Sequence, residues 1–152
     1  MDANKFVDSL TAPPIRWDEV LCPYCGGEVV WTSNREIYGR EYGNGRCYLC
    51  TECGACVGVH DNGKGKGSRR ALGLLATPEM RKMKQKCHAR FDAVWHTHKR
   101  SRAACYRQLA KLMGISVRQC HFGYFNLADL NRAYQIMAPF HWYEEKLKKV
   151  GA

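Results

Sequence analysis

The chain has 152 residues, 45% hydrophobic and 11% aromatic, with nine cysteines and a net charge of +10. That length holds one ordinary domain or two small ones, and the apolar share can bury a core, which excludes a disordered polyelectrolyte. No run of about 18 apolar residues is available to span a bilayer. The polar, acidic opening MDANKFVDSLTAPPIRWDE lacks the basic start and apolar stretch of a secretory leader. The expected location is a reducing cytoplasm, where cysteines serve as metal ligands or buried thiols rather than disulfides.

The charge is segregated. Residues 1–61 carry a net −4, residues 62–118 a net +13 and residues 119–152 a net +1. A field this local attracts polyanions, nucleic acid first among them, and the alternative is a solvated, lysine-rich helix face.

In chain order, residues 1–19 read as an N-terminal arm. Two stretches then read alike, Cys22-Pro-Tyr-Cys25-Gly26 and Cys50-Thr-Glu-Cys53-Gly54. Thiolates three residues apart reach one tetrahedral ion if the chain between them turns tightly. Glycine after the second cysteine can close that turn in the left-handed region. Two such knuckles make a closed site for one structural zinc ion, with Cys22, Cys25, Cys50 and Cys53 as ligands. Because Cys47, Cys50, Cys53 and Cys56 recur every three residues, Cys47/Cys50 and Cys53/Cys56 are rival second pairs. Cys87, Cys105 and Cys120 fall in helical patterns and read as small buried hydrophobes.

Between the knuckles, residues 28–32 read as a strand, 34–45 as a turn region and 45–49 as the returning strand, with a third strand at 57–60. Residues 20–61 are thus expected to form a zinc ribbon. Trp31, Tyr42 and Tyr48 are candidate base-stacking residues, or else ribbon core.

Residues 62–76 read as a basic Gly/Lys linker. Gly63, Gly65 and Gly67 would let backbone amides approach phosphate while Lys64 and Lys66 supply charge, although the nucleotide-binding loop spacing is absent. A helical domain is expected over 77–150. Thr77, Pro78 and Glu79 start a helix running to about His98, with Met80, Met83, Cys87, Phe91, Val94 and Trp95 on one stripe. Further helices follow Ser101, Ser116 and Asn126, and a last one spans roughly 141–149. The run from Gln108 through Gly114 to His121 has the spacing of a helix-turn-helix or of a tight helical hairpin. The fold expected is α+β, a zinc ribbon followed by four or five helices.

The candidate phosphate contacts lie in residues 64–111 and just beyond: Lys64, Lys66, Arg69, Arg70, Arg81, Lys82, Lys84, Lys86 and Arg118. His60, His88, Asp92 and His121 form a second group to weigh. If they meet, they could make a catalytic or second metal site, and otherwise His88 and Asp92 are a structural pair. His96 and His98 read as surface residues.

The stretches CPYCGGEVVW, YLCTECGACVGVH, LGLLATPEMRKMKQKCHARFDAVW, and the run from SRAACYRQLAKLMGIS to CHFGYF carry a resemblance. They resemble the small zinc-finger-containing proteins of phages and bacteria over residues 20 to about 130. In that pattern the first knuckle is C-P-x-C-G and the second is followed by a segment like A-Y-V-G-C-H. Cys56 stands where the family has an aromatic residue, which implies Cys50 and Cys53 as ligands. The match takes in His60, His88, Asp92 and His121. It departs at Gly63 to Gly67, where the family tends to carry a proline-containing loop. The ribbon half is also similar to the zinc fingers at the C-terminus of type IA topoisomerases, which bind single-stranded DNA. The resemblance implies a phage or prophage protein working in the cytoplasm of a bacterial host.

Three functions are compatible with these features. The first is a nucleic-acid-binding protein, with DNA ahead of RNA as ligand. The second is a protein-binding inhibitor or adaptor acting on a host defence or transcription complex. The third is a nuclease using His60, His88, Asp92 and His121.

Overall fold

The computed structural model describes residues 16–97 and 101–144, and the chain divides into two compact units between Glu79 and Met80. In the first unit, strands β1 (Val29–Ser33), β2 (Arg46–Cys50), β3 (Cys56–Asp61) and β4 (Gly67–Ala71) form one antiparallel sheet in the order β1-β2-β3-β4. Trp31 faces Tyr48 across β1 and β2, and Tyr48 faces Val57 across β2 and β3. Because side chains alternate along a strand, Val29, Tyr48, Cys50, Val57 and Val59 share one buried cluster. A helical turn, α1 (Arg35–Tyr38), interrupts the β1–β2 connection and buries none of its residues.

The sheet is closed by two segments outside the strands. Trp17 sits in a 3-10 turn, Trp17–Glu19, is fully buried, and donates its indole N–H to the Gly73 carbonyl at 2.9 Å. Ala76 exchanges two backbone hydrogen bonds with Cys56, both 2.9 Å, and Leu74 and Leu75 join the core. Trp17, within the residues 1–19 that read as an arm, therefore belongs to the sheet's core. The stretch read as a linker, 62–76, instead supplies β4 and this closing segment. Its glycines and arginines carry no apolar alternation, and its pairing rests on the backbone.

The second unit contains helices α2 (Pro78–Thr97), α3 (Arg102–Met113) and α4 (Leu127–Ile136), with two 3-10 turns, Val117–Gln119 and Phe122–Tyr124, between α3 and α4. The caps fall where the sequence puts them. The Ser101 hydroxyl accepts from the Ala104 amide at 3.0 Å, and Asn126 accepts from the Asp129 amide at 2.8 Å. On α2, Met80, Cys87, Phe91 and Val94 are buried, while Met83 and Trp95 are half-buried. Phe91 meets Tyr106, Phe122 and Trp142 with ring centroids 4.3, 5.7 and 6.0 Å away. Cys87, Cys105 and Cys120 are buried among these, as expected of small hydrophobes.

The stretch read as a helix-turn-helix or helical hairpin has no second helix. After Gly114 comes a single 3-10 turn held by a Ser116–Gln119 capping box. A recognition helix needs about two turns to lay several side chains along a groove, so Arg118 has no such helix and Gln119 is spent on the cap. The last expected helix, 141–149, lies largely outside the described residues. No described helix is long and apolar enough to cross a membrane.

Candidate metal centre and cationic surface

The first knuckle turns on two backbone bonds, Gly26 N–H to the Cys22 carbonyl at 2.8 Å and Cys22 N–H to the Gly27 carbonyl at 2.9 Å. The second repeats it, with Gly54 N–H to Cys50 at 3.2 Å and Cys50 N–H to Ala55 at 2.8 Å. Gly26 and Gly54 have φ of 76° and 79°. Both lie in the left-handed region where a Cβ is costly, which is why glycine follows each C-x-x-C. A third bond, Thr51 N–H to the Glu28 carbonyl at 2.9 Å, ties the two knuckles together.

The four sulfurs of Cys22, Cys25, Cys50 and Cys53 lie within 4.8 Å of one another. Cys22 and Cys53 are 3.7 Å apart, and Cys25 and Cys50 are 3.4 Å apart. A tetrahedron with Zn–S bonds of about 2.3 Å has edges of about 3.8 Å, so the cage fits zinc. An all-sulfur donor set suits this soft ion and leaves no open position, so the centre is structural. Cys47 and Cys56 are buried and stand outside the cluster, which excludes the rival pairs.

The cage is electrostatically prepared at one corner. Burial works to raise the Cys50 pKa, but the amides of Cys53 and Glu52 and the Cys25 sulfur outweigh it and bring the thiol to about 7. The Gly27 amide points at the Cys25 sulfur at 3.3 Å. At Cys22, burial pushes the thiol up to about 12. A dication removes that penalty, so metal uptake releases protons and draws on folding free energy.

The cationic residues fall into two groups. Lys64, Lys66, Arg69 and Arg70 lie on the β3–β4 hairpin and are exposed. The hairpin tip is built by its own side chains. The Asp61 carboxylate accepts from the amides of Gly63 at 2.6 Å and Gly65 at 3.2 Å, and Asn62 accepts from those of Lys64 at 2.8 Å and Lys66 at 3.4 Å. Those amides are committed, so any phosphate contact at the tip falls to the lysine ammonium groups. Arg69 stands 3.4 Å from Asp18 and stacks over Trp31 at 4.0 Å.

On α2, Lys82 and Lys86 are exposed, while Arg81 and Lys84 are half-buried. Arg90 is a structural cation: it donates to the Tyr134 carbonyl at 2.6 Å and lies 3.5 Å above that ring. Arg118 is exposed on its 3-10 turn.

Of the expected stacking residues, Tyr48 is fully buried and donates to the Arg69 carbonyl. Trp31 is half-buried, donates to Ser68 at 2.9 Å, and is flanked by Arg46 and Arg69. Both belong to the ribbon's structure. Tyr42 alone of the three is exposed, and Tyr38, to which no sequence signal points, stands beside it.

His60 is exposed on β3 in the first unit, and His88, Asp92 and His121 lie in the second. Asp92 accepts from the Trp95 indole at 2.9 Å. His88 packs edge-on to Phe122 at 4.8 Å, and His121 sits beside Tyr106 and Tyr124. Among the described residues, the four cysteines are the group whose ligating atoms converge.

No curated protein and no solved structure matches the chain significantly. A family profile does match, over residues 18–140, which span both knuckles, the sheet and the three long helices. With that coverage and a four-cysteine cage built for zinc, the chain belongs to the zinc-finger-containing domain family DUF3268.

Proposed function

We propose that this chain binds nucleic acid, DNA ahead of RNA, as a phage- or prophage-encoded protein in the cytoplasm of a bacterial host. The zinc centre holds the scaffold and takes no chemical part. The observation that carries this reading is the β3–β4 hairpin, which exposes Lys64 and Lys66 at its tip and Arg69 and Arg70 along β4. Lys82 and Lys86 on α2 add exposed charge in the most basic third of the chain. Lysine ammonium groups on a short stiff hairpin make point contacts to phosphate, which position a strand without reading its sequence.

Charge reversal tests it. Lys64→Glu with Lys66→Glu should weaken binding to all sequences alike. It should also flatten the salt dependence by about 0.7–0.9 in slope for each phosphate no longer neutralised. Unchanged affinity and slope would remove the hairpin from the interface. A folded, zinc-loaded protein that binds neither DNA nor RNA would turn the cationic surface towards an acidic protein partner.

A further inference from the structure

The sheet has two ends with different chemistry. The knuckles sit where β1 begins and β2 finishes. At the opposite end, β1 leads into β2 through residues 34–45 and β3 leads into β4 through residues 62–66. Antiparallel order brings these two loops together, and Asn44 staples them. Its side-chain amide donates to the Val59 carbonyl at 2.8 Å, and its own carbonyl accepts from the Gly67 amide at 3.1 Å.

The first loop displays aromatic surface without burying it. Tyr38 is 57% exposed and Tyr42 47% exposed, and their rings stand edge to face 5.3 Å apart. The Arg40 guanidinium lies 4.8 Å over the Tyr42 ring. The mount beneath them is fixed: Asn34 holds both backbone groups of Tyr42, and the Ser33 hydroxyl donates to Glu41 at 2.6 Å. The core gains little from these rings, yet the loop is organised to present them.

The charges beside the rings select the occupant. Arg35, Arg40, Lys64 and Lys66 are exposed at this end. The acids there are Asp61, hydrogen-bonded to amides, Glu41, hydrogen-bonded to Ser33, and the exposed Glu36; neutral donors leave these carboxylates charged, so four cations stand with three anions. Exposed tyrosine rings flanked by guanidinium and ammonium groups match a polyanion with free π-faces. In a duplex those faces are already stacked, whereas in a single strand they are open.

We propose that the end of the sheet opposite the zinc centre binds single-stranded nucleic acid, with bases stacking on Tyr38 and Tyr42 and phosphates meeting Arg40, Lys64 and Lys66. This rests on the nucleic-acid reading above and adds strandedness and a location to it. Stacking of this kind is tolerant of sequence, because every base has a π-face.

The test measures binding of a labelled single strand of about 15 nucleotides, as DNA and as RNA, and of the matched duplex, to zinc-loaded protein. Three proteins are compared: wild type, Tyr38→Leu/Tyr42→Leu, and Tyr38→Phe/Tyr42→Phe. Zinc content and thermal midpoint establish that each is folded. The leucine variant is expected to lose about tenfold or more on single strands and less than about twofold on the duplex, while the phenylalanine variant keeps its affinity. Undiminished single-strand binding by the leucine variant overturns this proposal and leaves the broader reading standing, as does a wild-type protein that binds only duplex. A wild-type protein that binds no nucleic acid overturns both.

Discussion

Asn34 holds Tyr42 by both backbone groups, donating from its side-chain amide to the carbonyl at 2.8 Å and accepting from the N–H at 3.0 Å. Asn34 is 8% exposed, so its side of these bonds is buried. They turn the β1–β2 loop into a fixed mount for an exposed ring. Asn34→Ala leaves the Tyr42 N–H without its partner, while the Tyr42 carbonyl keeps the Gly45 amide at 2.9 Å, and should destabilise the first unit by about 1–3 kcal/mol. Urea unfolding at saturating zinc reads this directly, and a wild-type midpoint would show that the latch contributes nothing.

The zinc centre yields a sharper contrast. Cys50→Ser should abolish stoichiometric zinc and with it the sheet, since structural zinc supplies roughly 10 kcal/mol or more to a unit of this kind. Cys47→Ala and Cys56→Ala should each retain one zinc per chain, because both side chains stand outside the cage. Metal analysis of the purified variants decides. Loss of zinc from either alanine variant with the sheet intact would reassign the ligands.

Gly67 begins β4 against Arg46. A methyl group there would collide with the Arg46 Cβ and Cγ atoms, and a Cβ cannot swing aside as the end of a side chain can. Gly67→Ala should therefore cost about 1–3 kcal/mol through overpacking and loosen the hairpin that carries Lys64 and Lys66. Faster amide exchange across β3 and β4 would report it, and wild-type protection would refute it.

Acid should weaken the second unit through His88. Burial lowers its pKa, Lys84 and Arg102 lower it further, and Asp92 opposes them. The unfolded chain then binds more protons than the folded one. The contribution is present above the ordinary histidine pKa of about 6.5 and is lost as pH falls through the lower folded value. Comparing His88→Leu with wild type between about pH 7.5 and 5.5 isolates the effect, since zinc release is common to both. The variant's thermal midpoint should fall less; equal falls would mean His88 titrates as in the unfolded chain.

Much of the scaffold is legible in the sequence because its signals are local. C-x-x-C-G encodes a turn that closes over a few bonds, and Ser101, Asn126 and Pro78 mark helix starts through their own side chains or rings. What escapes such reading is non-local. Trp17 is a lone aromatic in an acidic stretch, and its place under the sheet depends on Gly73, far along the chain. β4 has no hydrophobic alternation because its pairing is a backbone matter. The helix-turn-helix spacing failed because a small residue, a glycine and a serine cap also describe a helix ending in a 3-10 turn. At the candidate interface, Trp31 and Tyr48 looked as suitable for stacking as Tyr42. What separates them is place in the fold: Trp31 and Tyr48 are cross-strand partners in the sheet, whereas Tyr42 lies in the β1–β2 loop.

The central claim is that the cationic surface meets nucleic acid, and a salt titration of binding tests it most directly. Labelled single- and double-stranded DNA and RNA would be titrated with zinc-loaded protein from about 50 to 200 mM salt, with and without Mg²⁺. Affinity should fall steeply and linearly on logarithmic axes, with a slope set by the number of phosphates contacted, and the ligand should remain intact. Absence of binding at the lowest salt, by protein shown to be folded and zinc-loaded, would contradict the claim.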